Sequence, residues 1–534
     1  LDSFAATPRR RWLATPEIAA DFRGPVARAF EPMPGPEAIG PAVPALALVA
    51  ARQPDAVAVA EPGGTTSFAG LIAAASRIAD AVAGHGRGHV AILLPTGASY
   101  VAAVFGCLEA HRLSVLLDAA HPVVRNAAIA TAGSVDVVLT TAAIAASIDW
   151  PGVTVIAVDD LLQGPAKLIV KPPLALDVPA FILCTSGSTG LPKLIVHSQA
   201  TMLHWARTTH NALHVTSADR ALSLSSMASL GGFTALLSYP LAGAATEIVD
   251  IATGGIGGLL EALGRGEVTI VRAAPSLLRG VARLPDVASV LGGLRAVQSY
   301  GEPLLKSDVE ALRQVLPADC LIRTTYGSTE ASGLSWFARA DDTHDPLRVP
   351  AGVLMPDTEA AIVDDDGVDA PRGEPGELVI RSRYNGLGEW QDGGIAAGRL
   401  VPDPATPGTR IYATGDVARC DTDGVFTILG RRDRMLNING VRIELAEVER
   451  ALNDLPGIAR AEVVVRTRGT TQALLGFLIP VSGTVPDLAD CKARLRATLP
   501  RAMVPSQLIV IAEMPLLPGG KVDGQALLAL ADAA

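Results

Sequence analysis

At 534 residues, with 49% hydrophobic and 18% charged side chains, the chain is too long for one ordinary domain and too apolar for a disordered one; its length suggests about three or four folding units. A formal net charge of -10, with no basic run longer than Arg9–Arg11, argues against a general nucleic-acid binder, since a phosphate backbone demands a basic face. Cysteines at 107, 184, 320, 420 and 491 stand far apart with no CxxC pair, which argues against a zinc site or a disulfide framework and suits a reducing cytoplasm.

Residues 1–44 are rich in Pro and Arg with little periodicity, and the opening LDSFAATPRRRW lacks the basic-then-apolar order of a signal peptide. This segment is expected to wrap loosely over the surface. From Ala45 helical patterns (45–54, 68–86, 99–112) are interleaved with strand-like runs AVAVA (56–60), HVAILLP (89–95), LSVLL (113–117), DVVLTT (136–141) and VTVIAV (153–158). Such alternation predicts a mostly parallel sheet covered by helices. Residues 221–246 carry no charge and are long enough to span a bilayer. Five serines, the pair Gly231 and Gly232, and Pro240 interrupt them, so a buried strand, a loop and a core helix are expected and no membrane span. Further strand and helix patterns follow in 268–281, 294–304 and 320–332. From about Pro350 the texture becomes short strands between turns, predicting a small β-barrel or antiparallel sheet. The fold class expected is α/β: a large N-terminal domain (1–432) of parallel βα-layered sheets plus that small barrel, then a small mobile α+β C-terminal domain (433–534).

The densest chemistry lies in CTSGSTGLPK (184–193), between the apolar run 178–184 and apolar 194–196. Gly187 and Gly190 let backbone amides approach an anion, Thr185, Ser186, Ser188 and Thr189 offer hydroxyls, and Lys193 adds a mobile cation. A polyphosphate suits this loop; the plainer reading is an exposed Ser/Gly turn. It is not a Walker A loop, because Pro192 and Leu194 stand where Gly and Ser/Thr would flank the lysine. A second polar cluster, TTYGSTE (324–330), again ends an apolar segment, where open parallel sheets place ligand sites.

The order TSGSTGLPK, YGSTE, GD, GRRD and PGGK resembles the adenylate-forming superfamily of acyl-CoA synthetases, peptide-synthetase adenylation domains and luciferase-like enzymes, over nearly the whole chain. The resemblance implies an enzyme that activates a small carboxylic acid with ATP and Mg2+, releases pyrophosphate, and passes the acyl group to CoA or to carrier-protein phosphopantetheine. It implies that Lys193 and the hydroxyls hold the β- and γ-phosphates, that Glu330 binds magnesium, that Thr329 meets the α-phosphate and that the Tyr326 ring lies on adenine. Gly301 and Glu302 then lie against the adenine edge, and Asp416 with Arg431 holds the ribose. Lys521 matches the catalytic lysine of the small domain, and Asp433 the hinge about which that domain turns. Taken alone, Glu330, Asp416, Arg431 and Lys521 would each read as solvated surface groups.

Two departures matter. Asn437 stands where the family usually has a lysine after GRRD, which affects domain closure or thiolation contacts. In MASLGGFT (227–234) the family's amino-acid-activating members carry an Asp that holds the substrate ammonium; here Leu230 takes that place, with Gly231 and Thr234 beside it in the substrate pocket. A buried ammonium without a counterion is costly, so an acid lacking that charge is favoured. Segments 107–122 and PLLPGGKVD look more like peptide-synthetase adenylation domains than fatty-acid ligases, and no carrier-like segment follows Ala534. The expectation is a stand-alone cytoplasmic adenylating enzyme serving a separate carrier protein. A dedicated aryl- or aliphatic-acid CoA synthetase and a non-catalytic nucleotide or acyl-adenylate binder are the alternatives.

Overall fold

The computed structural model of the chain describes every residue except 1–11, 15–24, 87, 122, 163–174, 186–192, 340–341, 343, 346, 433–434, 439–440, 469–470, 500–502, 518–521 and 534. It divides into two compact units. The first comprises Leu1–Glu374, Leu378–Thr414 and Cys420–Thr427, the second Pro375–Glu377, Gly415–Arg419 and Ile428–Ala534.

The alternation in the first unit becomes two sheets with parallel centres. One has eight strands in the order Gly394–Ala396, Gly388–Gln391, Lys193–Ser198, Pro179–Thr185, Ser114–Asp118, His89–Leu94, Val135–Thr140, Thr154–Ala157. It is parallel from Pro179–Thr185 to Thr154–Ala157 and antiparallel on the other side. The other has nine strands in the order Val353–Leu354, Ser332–Phe337, Leu321–Gly327, Ala296–Tyr300, Ile270–Ala273, Arg220–Ser223, Ala245–Ile248, Val57–Glu61, Gly64–Ser67, parallel except at its two ends.

Helices Phe68–Ala83, Ala98–Glu109, Gln199–Leu213 and Leu230–Leu241 lie in one core with Ile92, Leu116 and Phe181 of the first sheet and Ala58 and Val59 of the second. They form a layer between the sheets, and separate apolar clusters cover each sheet's outer face. Burial on both faces is why the strands read as continuous apolar runs. It is also why Ala98–Glu109 is apolar all round. Fully buried Phe105 and Phe181 each stabilise this layer by about 1.5–3 kcal/mol.

Residues 221–246 resolve as the strand Arg220–Ser223, a loop, the helix Leu230–Leu241 and the start of the strand Ala245–Ile248. No helix among the described residues is long and apolar enough to cross a membrane. The strand Ala245–Ile248 is a feature that the apolar pattern hid. Glu247 breaks the run, yet it is only 3% exposed because Arg220 (3.1 Å) and Arg265 neutralise it.

The N-terminal segment departs from the loose wrapping expected of it. His210 Nε2 bonds the Glu31 carbonyl at 2.8 Å, Asn211 exchanges two hydrogen bonds with the Met33 backbone, and Phe30 stacks on His214 at 3.8 Å. Arg28 reaches buried Asp219 at 2.9 Å, which Arg295 also grips at 2.7 Å. Burial opposes ionisation of Asp219, but the Arg295 hydrogen bonds and charge outweigh it and hold the carboxyl below its ordinary range. His210 in helix Gln199–Leu213 and His214 at its C-cap thus anchor the stretch around Phe30.

The turn-rich region forms a six-stranded sheet whose central strands are Gly376–Ser382 and Arg410–Cys420. In the second unit Ile458–Arg468 and Thr471–Pro480 pair antiparallel, and Gln507–Val510 adds parallel to the latter. Helices Leu445–Asn453 and Leu488–Thr498 share a core with them, while Gly524–Ala533 buries Leu527 and Ala531 in a cluster with Phe477.

Candidate active site

Thr185 and Lys193 are register partners at the ends of the antiparallel pair Pro179–Thr185 and Lys193–Ser198, so they bracket the predicted phosphate loop. Ser186, Gly187, Ser188, Thr189 and Gly190 lie outside the described residues, as do Asp433 and Lys521. Lys193 Nζ pairs with Glu389 Oε1 at 3.1 Å, with side chains 35% and 17% exposed. Glu389 sits on the neighbouring strand, opposite Ile195. A half-exposed pair of this kind is weak, so an anion can compete for the lysine.

Strand Leu321–Gly327 carries Tyr326 to its C-terminal end, where the register shifts at Tyr326/Gly327. A tight turn follows: Ser328 N donates to the Ala331 carbonyl at 2.7 Å and Ala331 N to Ser328 Oγ at 3.3 Å. That turn presents Thr329 and Glu330, both half-buried. Gly386 N donates to the Glu330 carbonyl at 2.8 Å and Leu387 N to the Val196 carbonyl at 2.7 Å, which ties the turn to the strand of Lys193. The structure therefore brings Lys193 and the Thr329–Glu330 turn to one neighbourhood.

Behind the turn lies His197, a residue that sequence reasoning missed. It is fully buried, stacked on Phe181 at 5.2 Å and edge-on to Trp205 at 5.1 Å. Burial pushes its pKa down to about 3, against a small opposing effect from the Thr329 backbone. Neither ring nitrogen has a partner in hydrogen-bond geometry, so the Thr329 contact is a polar proximity and His197 is a neutral packing group. Its aromatic neighbours sit on the adjacent strand and the following helix, and only their packing in three dimensions marks it.

Gly301 has φ 82°, a left-handed turn open to glycine, and it swings the chain away from the end of Ala296–Tyr300. The Glu302 carboxylate accepts from Ser276 N at 3.1 Å and Ser276 Oγ at 2.9 Å, in the first turn of helix Pro275–Ala282. That places an acid at a helix N-terminus, where it is favoured, and leaves the Gly301–Glu302 backbone as the part free to face a ligand.

Leu230, Gly231 and Thr234, the residues expected in the substrate pocket, all lie on helix Leu230–Leu241, which is capped by Ser229 Oγ accepting from Gly232 N at 3.2 Å. Leu230 packs against the apolar core. A Cβ on Gly231 would stand 2.4 Å from Cε2 of Tyr300, so only glycine admits that ring. The Tyr300 hydroxyl is fixed by Ser225 Oγ at 2.6 Å. Thr234 Oγ1 donates to the Leu230 carbonyl at 2.8 Å and accepts from Arg272 Nη2 at 3.0 Å.

In the second unit Arg431 Nη1 lies 3.1 Å from Asp416 Oδ1, on adjacent strands, so the two residues matched to the ribose are paired. Glu377, which was not anticipated, supports them. It is 7% exposed and accepts from Gly415 N at 3.0 Å and Arg432 Nη1 at 2.8 Å.

No cluster of three His, Cys, Asp or Glu able to hold a metal occurs among the described residues. Magnesium sites that use one carboxylate and several phosphate oxygens need no such cluster, and Glu330 on its turn fits that pattern. The five cysteines are unpaired, and burial pushes the Cys107 thiol up to about 12; no disulfide or thiolate chemistry is built here.

The first unit thus layers two mostly parallel sheets with a polar turn at a strand end, and the second is a small α+β unit. The chain belongs to the AMP-binding enzyme family: that family's model matches residues 46–390, and the AMP-binding enzyme C-terminal domain matches residues 447–521. It is accordingly an AMP-forming adenylating enzyme of the peptide-synthetase and acyl-CoA-synthetase type, within the adenylate-forming superfamily. It is 32% identical over 486 residues to a probable non-canonical nonribosomal peptide synthetase of Salinispora arenicola, covering 90% of this chain and 6% of that protein. It is also 32% identical over 495 residues to phosphinothricin tripeptide synthetase of Streptomyces viridochromogenes, covering 90% and 44%. The chain thus spans less than half the length of these curated relatives. Among solved structures, o-succinylbenzoate CoA synthetase of Bacillus subtilis with its acyl-adenylate intermediate has a TM-score of 0.76 at 22% identity, covering 90% and 97%.

Proposed function

We propose that the enzyme adenylates a carboxylic acid that lacks an α-ammonium and transfers the acyl group to a phosphopantetheine thiol. The observation that carries this reading is Leu230. It opens the helix with a partly buried apolar side chain packed against the core, at the position where an ammonium would need an acid. In the first step a carboxylate oxygen bonds to the α-phosphorus, the bond to the bridging oxygen breaks, and pyrophosphate leaves. In the second a thiol sulfur bonds to the acyl carbon, AMP leaves, and the thiol proton goes to solvent. Charge builds on the phosphates in the first step, so cations and donors aimed there stabilise it.

In this reading Thr185, the 186–190 loop and Lys193 receive the β- and γ-phosphates, with Lys193 exchanging Glu389 for phosphate. Thr329 faces the α-phosphate, Tyr326 and the Gly301–Glu302 backbone border adenine, and Asp416 with Arg431 takes the ribose. Glu330 would hold magnesium, which when bound neutralises phosphate charge. Lys521 bridges the carboxylate and the α-phosphate, and turning about Asp433 would withdraw it for the second step. The peptide-synthetase relatives at 32% identity favour a carrier-protein thiol as acceptor; CoA is the second reading.

Pyrophosphate exchange across amino, hydroxy, keto, aryl and aliphatic acids tests the proposal. The expected result is exchange with acids lacking an ammonium and at least about a hundredfold lower kcat/KM for ordinary α-amino acids. Best activity with an α-amino acid would overturn it. Acyl transfer to CoA against a phosphopantetheinylated carrier then decides the acceptor.

A further inference from the structure

Arg272 lies in the strand Ile270–Ala273, under the helix that carries Leu230, Gly231 and Thr234. It is 4% exposed, yet its Nε and Nη1 have no hydrogen-bond partner. Its contacts are Nη2 to Thr234 Oγ1 at 3.0 Å and the guanidinium over the Tyr300 ring at 5.4 Å. Among the described residues no carboxylate lies within ion-pair distance of it. By contrast, in the same unit Arg28 and Arg295 pair with Asp219, Arg220 and Arg265 with Glu247, and Arg279 with Asp308.

Register gives Arg272 its company. It is aligned with Ser223 on one side and Gln298 on the other, and Gln298 with Arg323 beyond. All four are 4% exposed or less and, by the alternation of side chains, share the face under the helix. Gln298 Oε1 lacks a partner too, as does the fully buried hydroxyl of Tyr239, whose pKa burial raises against the opposing charges of Arg272 and its neighbours. Thr234 and Tyr300 join this polar row to the pocket. A buried guanidinium without an acid is expensive to keep, and its fork matches a carboxylate in two-point geometry.

We propose that Arg272 receives a second anionic group on the acid that is activated, so that the substrate is a dicarboxylic acid or another acid carrying a further oxyanion. This deepens the adenylation reading of the same pocket and rests on it. Thr234 accepts from one Nη2 hydrogen, leaving the other Nη2 hydrogen, with Nε or Nη1 on the edge it faces, for the anion. Gly231 and Tyr300 set the width of the passage, and Leu230 excludes an ammonium.

The test compares matched probes, pentanoate against pentanedioate and benzoate against 1,3-benzenedicarboxylate, with wild type, Arg272→Met and Arg272→Lys. Pyrophosphate exchange and the melting shift caused by each acid are read together. Wild type should favour the diacid of at least one pair by about a hundredfold or more in kcat/KM. Arg272→Met should reverse that preference while keeping exchange with monoacids, and Arg272→Lys should keep part of it. Wild type favouring both monoacids, or Arg272→Met lowering both members of each pair equally, would overturn the proposal and leave adenylation standing. If no acid supports exchange, the adenylation reading falls; a diacid-specific melting shift present in wild type and lost in Arg272→Met still supports the anion site, and its absence overturns that as well. Should Arg272→Met not fold, the wild-type panel and Arg272→Lys decide by the same criteria.

Discussion

Glu377 holds two neighbours at once, accepting from Gly415 N at 3.0 Å and Arg432 at 2.8 Å while only 7% exposed. Gly415 immediately precedes Asp416, so Glu377 is a positioning residue for the proposed ribose contact. Glu377→Gln keeps the size and removes the charge. The expected cost is about 1–3 kcal/mol in urea unfolding, discounted at the Arg432 end because that arginine is 43% exposed. In kinetics the KM for ATP should rise several-fold with kcat within about twofold. An unchanged KM would remove Glu377 from the ribose argument. Lys521→Ala is expected to depress exchange by about two orders of magnitude or more with ATP binding retained; near-normal exchange would remove the proposed role of Lys521. Lys193 stood out in its Ser- and Gly-rich stretch, while Glu330, Asp416 and Arg431 were singled out only through the order of motifs that resembles the family's. Their partners were not. Glu389 and Glu377 come from distant segments, His197 shares the strand of Lys193 but is marked only by its packing on Phe181 and Trp205, and Arg272 stood in VTIVRAAP as one charge in an apolar strand, with nothing local to say that it would be buried without an acid.

The helix Leu230–Leu241 and the strand Ala296–Tyr300 meet where Gly231 admits the Tyr300 ring. Gly231→Ala would force the ring aside and break its 2.6 Å bond to Ser225. A loss of about 1–3 kcal/mol is expected from such overpacking, together with reduced exchange. Adding Tyr300→Ala should recover most of the stability; equal instability of the double variant would show that the strain lies elsewhere. The same contact shows what a linear reading misses. The strand patterns at 89–95 and 113–117 were readable because two-sided burial makes them almost wholly apolar. The strand Ala245–Ile248 was not, because Glu247 is buried with two distant arginines, and the segment around Phe30 was not, because its anchors are histidines at the end of a distant helix.

For the whole molecule, His197 and His204 set an acid limit. Burial brings both pKa values down to about 3, aided at His204 by the Arg207 charge, while Asp357 at 3.7 Å from His204 pulls weakly the other way. An unfolded chain binds these protons near 6.5 and the folded one does not, so stability is full above about pH 6.5 and falls as pH drops toward 3. Each site contributes about 1.4 kcal/mol per pH unit in that window. Urea midpoints should therefore decline between pH 7.5 and pH 5, and His197→Phe should flatten the decline; an identical slope in that variant would show that other groups control it.

The nine-stranded sheet has a further consequence for the order of assembly on the ribosome. Val57–Glu61 is made early, but its parallel neighbour is Ala245–Ile248. At about 5–20 residues per second, the buried centre of that early strand waits roughly 10–40 s for its partner, with only the hairpin strand Gly64–Ser67 beside it. Until then its open edge must be shielded from other nascent chains, so this sheet cannot close before Ala245–Ile248 has been made.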